Sequence, residues 1–161
     1  MFKTLLMAAG VAALFAAGPG AAVAADHEVK MLQGMTADQA RGTAGMMVFE
    51  PPYLKVAPGD TVTFKSVNPS HNAETIPGML PEGAQPFKGA LSKDVTVTFE
   101  KEGIYGYKCM PHYGMGMVGL IQVGDDTGNV DAARAVKHPG KAKTVMAELL
   151  GKAGTTVAAT K

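Results

Sequence analysis

Cys109 is the only cysteine in 161 residues, and it opens the stretch Cys109-Met110-Pro111-His112-Tyr113-Gly114-Met115-Gly116-Met117. A histidine follows three positions on, and methionines follow six and eight positions on. A thiolate, an imidazole and a thioether on one short loop form a soft ligand set that suits copper. The second imidazole must come from elsewhere. His71, in Asn68-Pro69-Ser70-His71-Asn72-Ala73, lies 38 residues upstream. Two His and one Cys in a trigonal plane with a weak axial Met make a blue-copper electron-transfer site.

Taken singly, these residues have plainer roles. A lone Cys is most often a small buried hydrophobe, and methionines most often fill cores. Their combination shifts the balance: an upstream His beside Asn72, the Cys-x-x-His spacing, a Met closing the loop, and apolar strand patterns on both sides. Structural zinc uses about four Cys or His ligands, and one Cys serves it poorly. The axial position has two candidates in the sequence, Met115 and Met117, because Gly116 between them lets either side chain turn inward.

The elements that must position this loop follow from apolar periodicity. Glu28 to Leu32 reads as a first strand, and Met46 to Tyr53 as an extended run interrupted by Pro51-Pro52, which must bend or lie at a sheet edge. After the turn Pro58-Gly59-Asp60, residues Asp60 to Val67 alternate, with Val62, Phe64 and Ser66 on one side. Pro69 to Ser92 is irregular. Asp94 to Phe99 alternates again, Ile104 to Lys108 runs into Cys109, and Val118 to Val123 leaves the loop. Short strands separated by turn signals predict an antiparallel sandwich. Asn129 to Val136 and Lys141 to Leu150 read as helices, the second with Val145, Met146 and Leu149 on its apolar side.

Met1-Phe2-Lys3, an apolar run from Thr4 to Ala17, and Ala22-Val23-Ala24 have the form of a secretory leader, with cleavage near Ala24/Ala25. Gly18-Pro19-Gly20 breaks the run short of the ~20 residues a membrane anchor needs. The reading is therefore residues 1–24 leader, 25–151 one domain with its own core, and 152–161 a frayed tail. Without Lys3 the chain has 14 basic and 14 acidic residues. A leader without an anchor points to the periplasm, the near-neutral charge to no nucleic-acid partner, and the protein is expected to be a monomer without a membrane anchor.

The segments Met47-Val48-Phe49-Glu50-Pro51, Pro58 to Phe64, His71-Asn72, Ile76 to Ala84 and Pro111 to Met117 together resemble the cupredoxins and, within them, the pseudoazurin group. The resemblance implies a mainly β, cupredoxin-type Greek-key sandwich with two C-terminal α-helices. It implies one copper ion, Cu(I) or Cu(II), held by His71, Cys109, His112 and Met117. Asn72, Pro111 and Met47 would surround the ligands. Pro111 has no N–H to offer the Cys109 sulfur, and Met47 would touch the His112 ring.

The resemblance further implies a carrier of single electrons, not an enzyme. Its partners would be c-type cytochromes, copper or haem nitrite reductase and nitrous oxide reductase. The exposed edge of His112 would serve as the electron route, within an apolar patch that includes Tyr113 and Met115. Lys88 and Lys108 match the lysine ring that steers acidic partners. Pro69 stands where such a lysine is common, and the loop from Gln33 to Gly45 is longer than usual.

Two other classes compete on the residues alone. One is a periplasmic copper storage or delivery protein, suggested by 11 methionines. The other is a redox-silent sandwich with Cys109 buried. His27 and His138 lack ligand-type spacing and read as surface residues, with His27 a weak Cu(II) binder near the new terminus.

Overall fold

The structure, a computed structural model, describes residues 23–34 and 47–154. Most of the leader, most of the Gln33–Gly45 loop and the tail beyond 154 lie outside the described residues. In chain order the elements are β1 (Asp26–Gln33), β2 (Met47–Glu50), β3 (Tyr53–Val56), β4 (Asp60–Ser66), β5 (Glu74–Thr75), β6 (Val95–Phe99), β7 (Gly103–Lys108) and β8 (Val118–Val123). The helices α1 (Val130–Ala135) and α2 (Ala142–Lys152) follow.

Two sheets form, ordered β2-β1-β4-β6 and β3-β8-β7-β5. In β4, Val62 and Phe64 are fully buried while Thr61, Thr63 and Lys65 are only half-covered, the period-two pattern of a strand with one wet face. The second sheet behaves differently. Every residue of β8 is buried, because Ile121 and Val123 face the sandwich core while Val118 and Leu120 face the helices. Val145, Met146, Leu149 and Leu150 of α2 cover that outer face.

The sandwich is mixed, which corrects the antiparallel expectation. β1 pairs parallel with β4, and β3 parallel with β8. Pro51-Pro52 supplies the reason: lacking amide donors, they end β2 on one sheet, and the chain restarts as β3 on the edge of the other. Strands that cross between sheets can return parallel, whereas a tight hairpin cannot.

The sandwich core is aromatic. Tyr107 is fully buried, with ring centroids of Phe49 and Phe64 at 4.7 and 4.9 Å. Its hydroxyl has no hydrogen-bond partner among the described residues, and burial drives the phenol far above its ordinary pKa. Tyr107→Phe is expected to stabilise the protein by about 1–3 kcal/mol, the cost of an unpaired buried polar group. A urea midpoint that falls instead would show that the hydroxyl has a partner.

Asp60 closes the other end of the sandwich. Its carboxylate accepts from Ala25 N at 2.8 Å and Ala57 N at 2.9 Å, and its Oδ2 lies 2.8 Å from His27 Nε2. This corrects the reading of His27 as a free surface residue. The Ala25 amide, then the His27 and Ala57 contacts, hold the Asp60 carboxyl below its ordinary pKa. A depressed carboxyl contributes stability above its unfolded pKa near 3.8 and loses it as pH falls through the lower folded value. Asp60→Asn should therefore cost about 1.5–3 kcal/mol at pH 7. The gap to wild type should narrow in acid, and denaturation curves at several pH values check it; a constant gap would remove the carboxylate from the account.

Candidate metal centre

The ligand loop is held from three sides. Cys109 N–H donates to Met117 O at 3.0 Å, which pins the loop's two ends together where β7 and β8 part. Between them His112 N–H donates to Cys109 O at 3.2 Å, and Tyr113–Met115 form one 3₁₀ turn. That turn ends at Gly116, whose φ of +98° is the left-handed conformation open to glycine. Just ahead of α2, Lys141 N–H donates to Gly114 O at 3.0 Å, and Gly116 lies against Lys141 and Val145. The C-terminal helix thus buttresses the loop, a role the sequence did not announce.

His71 arrives from the irregular segment after β4 and is 1 % exposed. Asn72 joins the two segments: its Oδ1 accepts from Met110 N at 2.8 Å, and its amide donates to Gly89 O at 3.2 Å. Pro111 is exposed beside this join, and Met47 is half-buried against the core cluster that contains Cys109 and Met117.

Three ligand atoms converge. His71 Nδ1 lies 3.1 Å from His112 Nδ1, and Cys109 Sγ lies 3.8 and 3.4 Å from those two nitrogens. Two imidazole nitrogens and a sulfur facing one point are a poor hydrogen-bonding group but a good metal-ligand group. A point inside this triangle lies about 2.0 Å from all three atoms, the length of a transition-metal bond to imidazole. His71 turns Nδ1 toward His112 Nδ1 and Cys109 Sγ, while its Nε2 is buried without a hydrogen-bond partner among the described residues. The donor set fits copper.

The two methionines separate clearly. Met117 is fully buried in the cluster with Cys109, whereas Met115 is 46 % exposed on the 3₁₀ turn. Met110, unremarked in the sequence as a surface residue, is 58 % exposed. Met110, Pro111 and Met115 are thus exposed apolar residues on the loop that carries the half-exposed His112.

Burial pushes the Cys109 thiol up, the backbone N–H groups of Asn72 and His112 pull it down, and the Glu74 charge adds to the rise. Burial lowers His71, and His112 beside it lowers it further. Both trends favour the uncharged thiol and the neutral His71 imidazole, the form of histidine that binds metal.

Two surface readings change. Lys88 is exposed, but Lys108 is not a free charge: its Nζ lies 3.5 Å from Glu74 Oε1 and 4.8 Å from the Tyr113 ring centroid. His138 is half-buried, with Nδ1 2.6 Å from Tyr113 Oη, so both rings are fixed against α2's approach to the loop. Tyr113 itself is half-buried.

A mixed two-sheet sandwich with a His, Cys and Met loop between its last two strands defines the cupredoxin class. The family of copper-binding proteins of the plastocyanin/azurin type matches residues 36–124. A pseudoazurin of Paracoccus pantotrophus is 47% identical over 91% of this chain and 94% of its own length. The crystal structure of pseudoazurin from Methylobacterium extorquens superposes with a TM-score of 0.72 at 40% identity, covering 79% of this chain and 98% of the other. That of native pseudoazurin from Hyphomicrobium denitrificans gives 0.71 at 44% identity, covering 79% and 97%. The chain belongs to the pseudoazurins. It is a blue-copper electron carrier that takes one copper ion. No helix among the described residues is long and apolar enough to cross a membrane.

Proposed function

We propose that His71, Cys109, His112 and Met117 are the copper ligands, and that the protein carries single electrons in the periplasm. Its donors are c-type cytochromes or a respiratory complex, and its acceptors are copper or haem nitrite reductase and nitrous oxide reductase. The leader is removed near Ala24/Ala25, leaving a monomeric domain that ends near residue 151. The convergence of His71 Nδ1, His112 Nδ1 and Cys109 Sγ within 3.8 Å of one another carries this reading.

The bound copper supplies the one-electron change between Cu(I) and Cu(II). The chain's part is to keep the ligands still. Cys109 is tied to Met117 through the backbone and Asn72 ties Met110 to the His71 segment, so neither ligand segment moves freely against the other. Such outer contacts orient the ligands. Pro111 cannot donate to the sulfur, which leaves the backbone N–H groups of Asn72 and His112 to act on it. His112 is the ligand that reaches the surface, so its ring edge is the way in and out for the electron. The small apolar surface of Met110, Pro111 and Met115 suits a brief encounter at the low end of interface sizes.

Spectra of the mature protein with one equivalent of Cu(II) test the ligand set. An intense blue band is expected, changed in position and EPR by Met117→Gln and unchanged by Met115→Gln. A response to Met115→Gln alone would move the axial ligand. Stopped-flow oxidation of the reduced protein by a nitrite reductase tests the partner class.

A further inference from the structure

We propose that the mature chain carries a second metal site at its amino terminus, formed by Ala25-Asp26-His27 and specific for a square-planar Cu(II) or Ni(II) ion. It rests on the leader reading above: hydrolysis between Ala24 and Ala25 turns the Ala25 nitrogen into a free α-amine and makes His27 the third residue. The bond to be cut is open, since Val23 is 91 % exposed and Ala24 is exposed as well. The α-amine, the amide nitrogens of Asp26 and His27, and His27 Nδ1 can close three fused chelate rings around one ion. Four nitrogens in a plane are the tetragonal donor set of Cu(II) and Ni(II). Binding releases the two amide protons, and one more from the ammonium form, to solvent. No electron changes hands.

The surroundings of His27 support the assignment. Its Nε2 lies 2.8 Å from Asp60 Oδ2, which leaves Nδ1 free for the ion. A carboxylate on the far ring nitrogen is the partner that orients a metal-bound histidine and fixes its tautomer. The His27 side chain is 28% exposed. β1 pairs with β2 only from Lys30 onward, so among the described residues the start of the strand has β4 on one edge and no paired strand on the other. The site also has a competitor. Ala25 N lies 2.8 Å from Asp60 Oδ1, and Ala25 O accepts from Thr61 N at 2.9 Å. Chelation must lift the terminus from these bonds and from the β1–β4 pairing at Asp26 and His27, so the protein binds more weakly than a free Ala-Asp-His peptide, by about fivefold for each neutral bond given up and by more for the bond to the Asp60 carboxylate. The site lies apart from the blue centre, sharing no residue with His71, Cys109 and His112.

The test uses the mature protein with its blue site filled by copper, after intact mass has established the first residue. Titration with Ni(II) is expected to form one equivalent of a yellow, diamagnetic species while the blue band stays unchanged. His27→Ala should abolish it. So should one extra residue placed ahead of Ala25, which moves His27 to fourth position and leaves every other residue intact. A mass that begins elsewhere than Ala25 overturns the leader reading and the native site with it. A start at Ala25 with no Ni(II) uptake, or uptake indifferent to the extra residue, overturns the chelate itself.

Discussion

Cys109→Ala is expected to remove the intense blue absorption completely, while the protein stays folded. The colour of such a centre comes from thiolate-to-Cu(II) charge transfer, and the chain has no second cysteine to replace Cys109. The two remaining Nδ1 atoms, 3.1 Å apart, still form a bidentate imidazole pair, so weak Cu(II) binding without colour should survive. The loss of affinity should exceed the roughly 10–100-fold that removal of an outer-shell partner costs, and Asn72→Ala provides that internal comparison. Folding should suffer little, because one buried sulfur is lost while the Cys109 and Met117 backbone bond remains. That places the cost near the ordinary 0.5–3 kcal/mol of a single substitution. Optical titration and circular dichroism of the same sample separate the two effects. A blue band that persisted in this variant would sink the metal centre as described.

Phe64→Ala is expected to have the largest effect on stability, about 3–5 kcal/mol. Phe64 is fully buried in β4 and stacks on Phe87 at 5.3 Å, with edge contacts to Tyr107 at 4.9 Å and Phe49 at 6.4 Å. Those rings come from β2, β4, β7 and the irregular segment after β5, so the cavity left behind touches both sheets and cannot close by moving one of them. Against a total stability of about 5–15 kcal/mol, such a loss brings the metal-free protein near its unfolding threshold. Copper binds the native state alone and adds its own increment, so the copper form should tolerate the substitution better. Guanidinium curves on both forms provide the check. Equal midpoints for wild type and variant would show that the ring network is not what joins the sheets.

Much of this protein is set by short-range pattern. Alternation places Val62 and Phe64 inside β4 and Val95, Val97 and Phe99 along β6, because a strand's side chains change face at every residue. The identities of Cys109 and His112 in one loop dictate soft-metal chemistry whatever the fold, since the donor atoms themselves carry it. The periodic apolar face of α2 is equally local, although the helix runs two residues past the expected end.

Other features depend on contacts between residues far apart in the chain, which no local pattern encodes. The choice between Met117 and Met115 is one: both flank Gly116, and the left-handed turn there, set against Lys141 and Val145, puts Met117 inside and Met115 out. The parallel pairing of β1 with β4 and β3 with β8 is another, because strand direction follows the path between sheets. Charge is the third. Lys108 reads as a free cation until Glu74, 34 positions away, is brought beside it by the β5–β7 pairing. His27 and His138 read as solvated rings until Asp60 and Tyr113 reach them. Sequence alone determined which atoms can bind copper and which strands can bury a face. Tertiary structure decided which of those atoms meet and which charges remain free, because proximity across the fold is a property of packing and not of order along the chain.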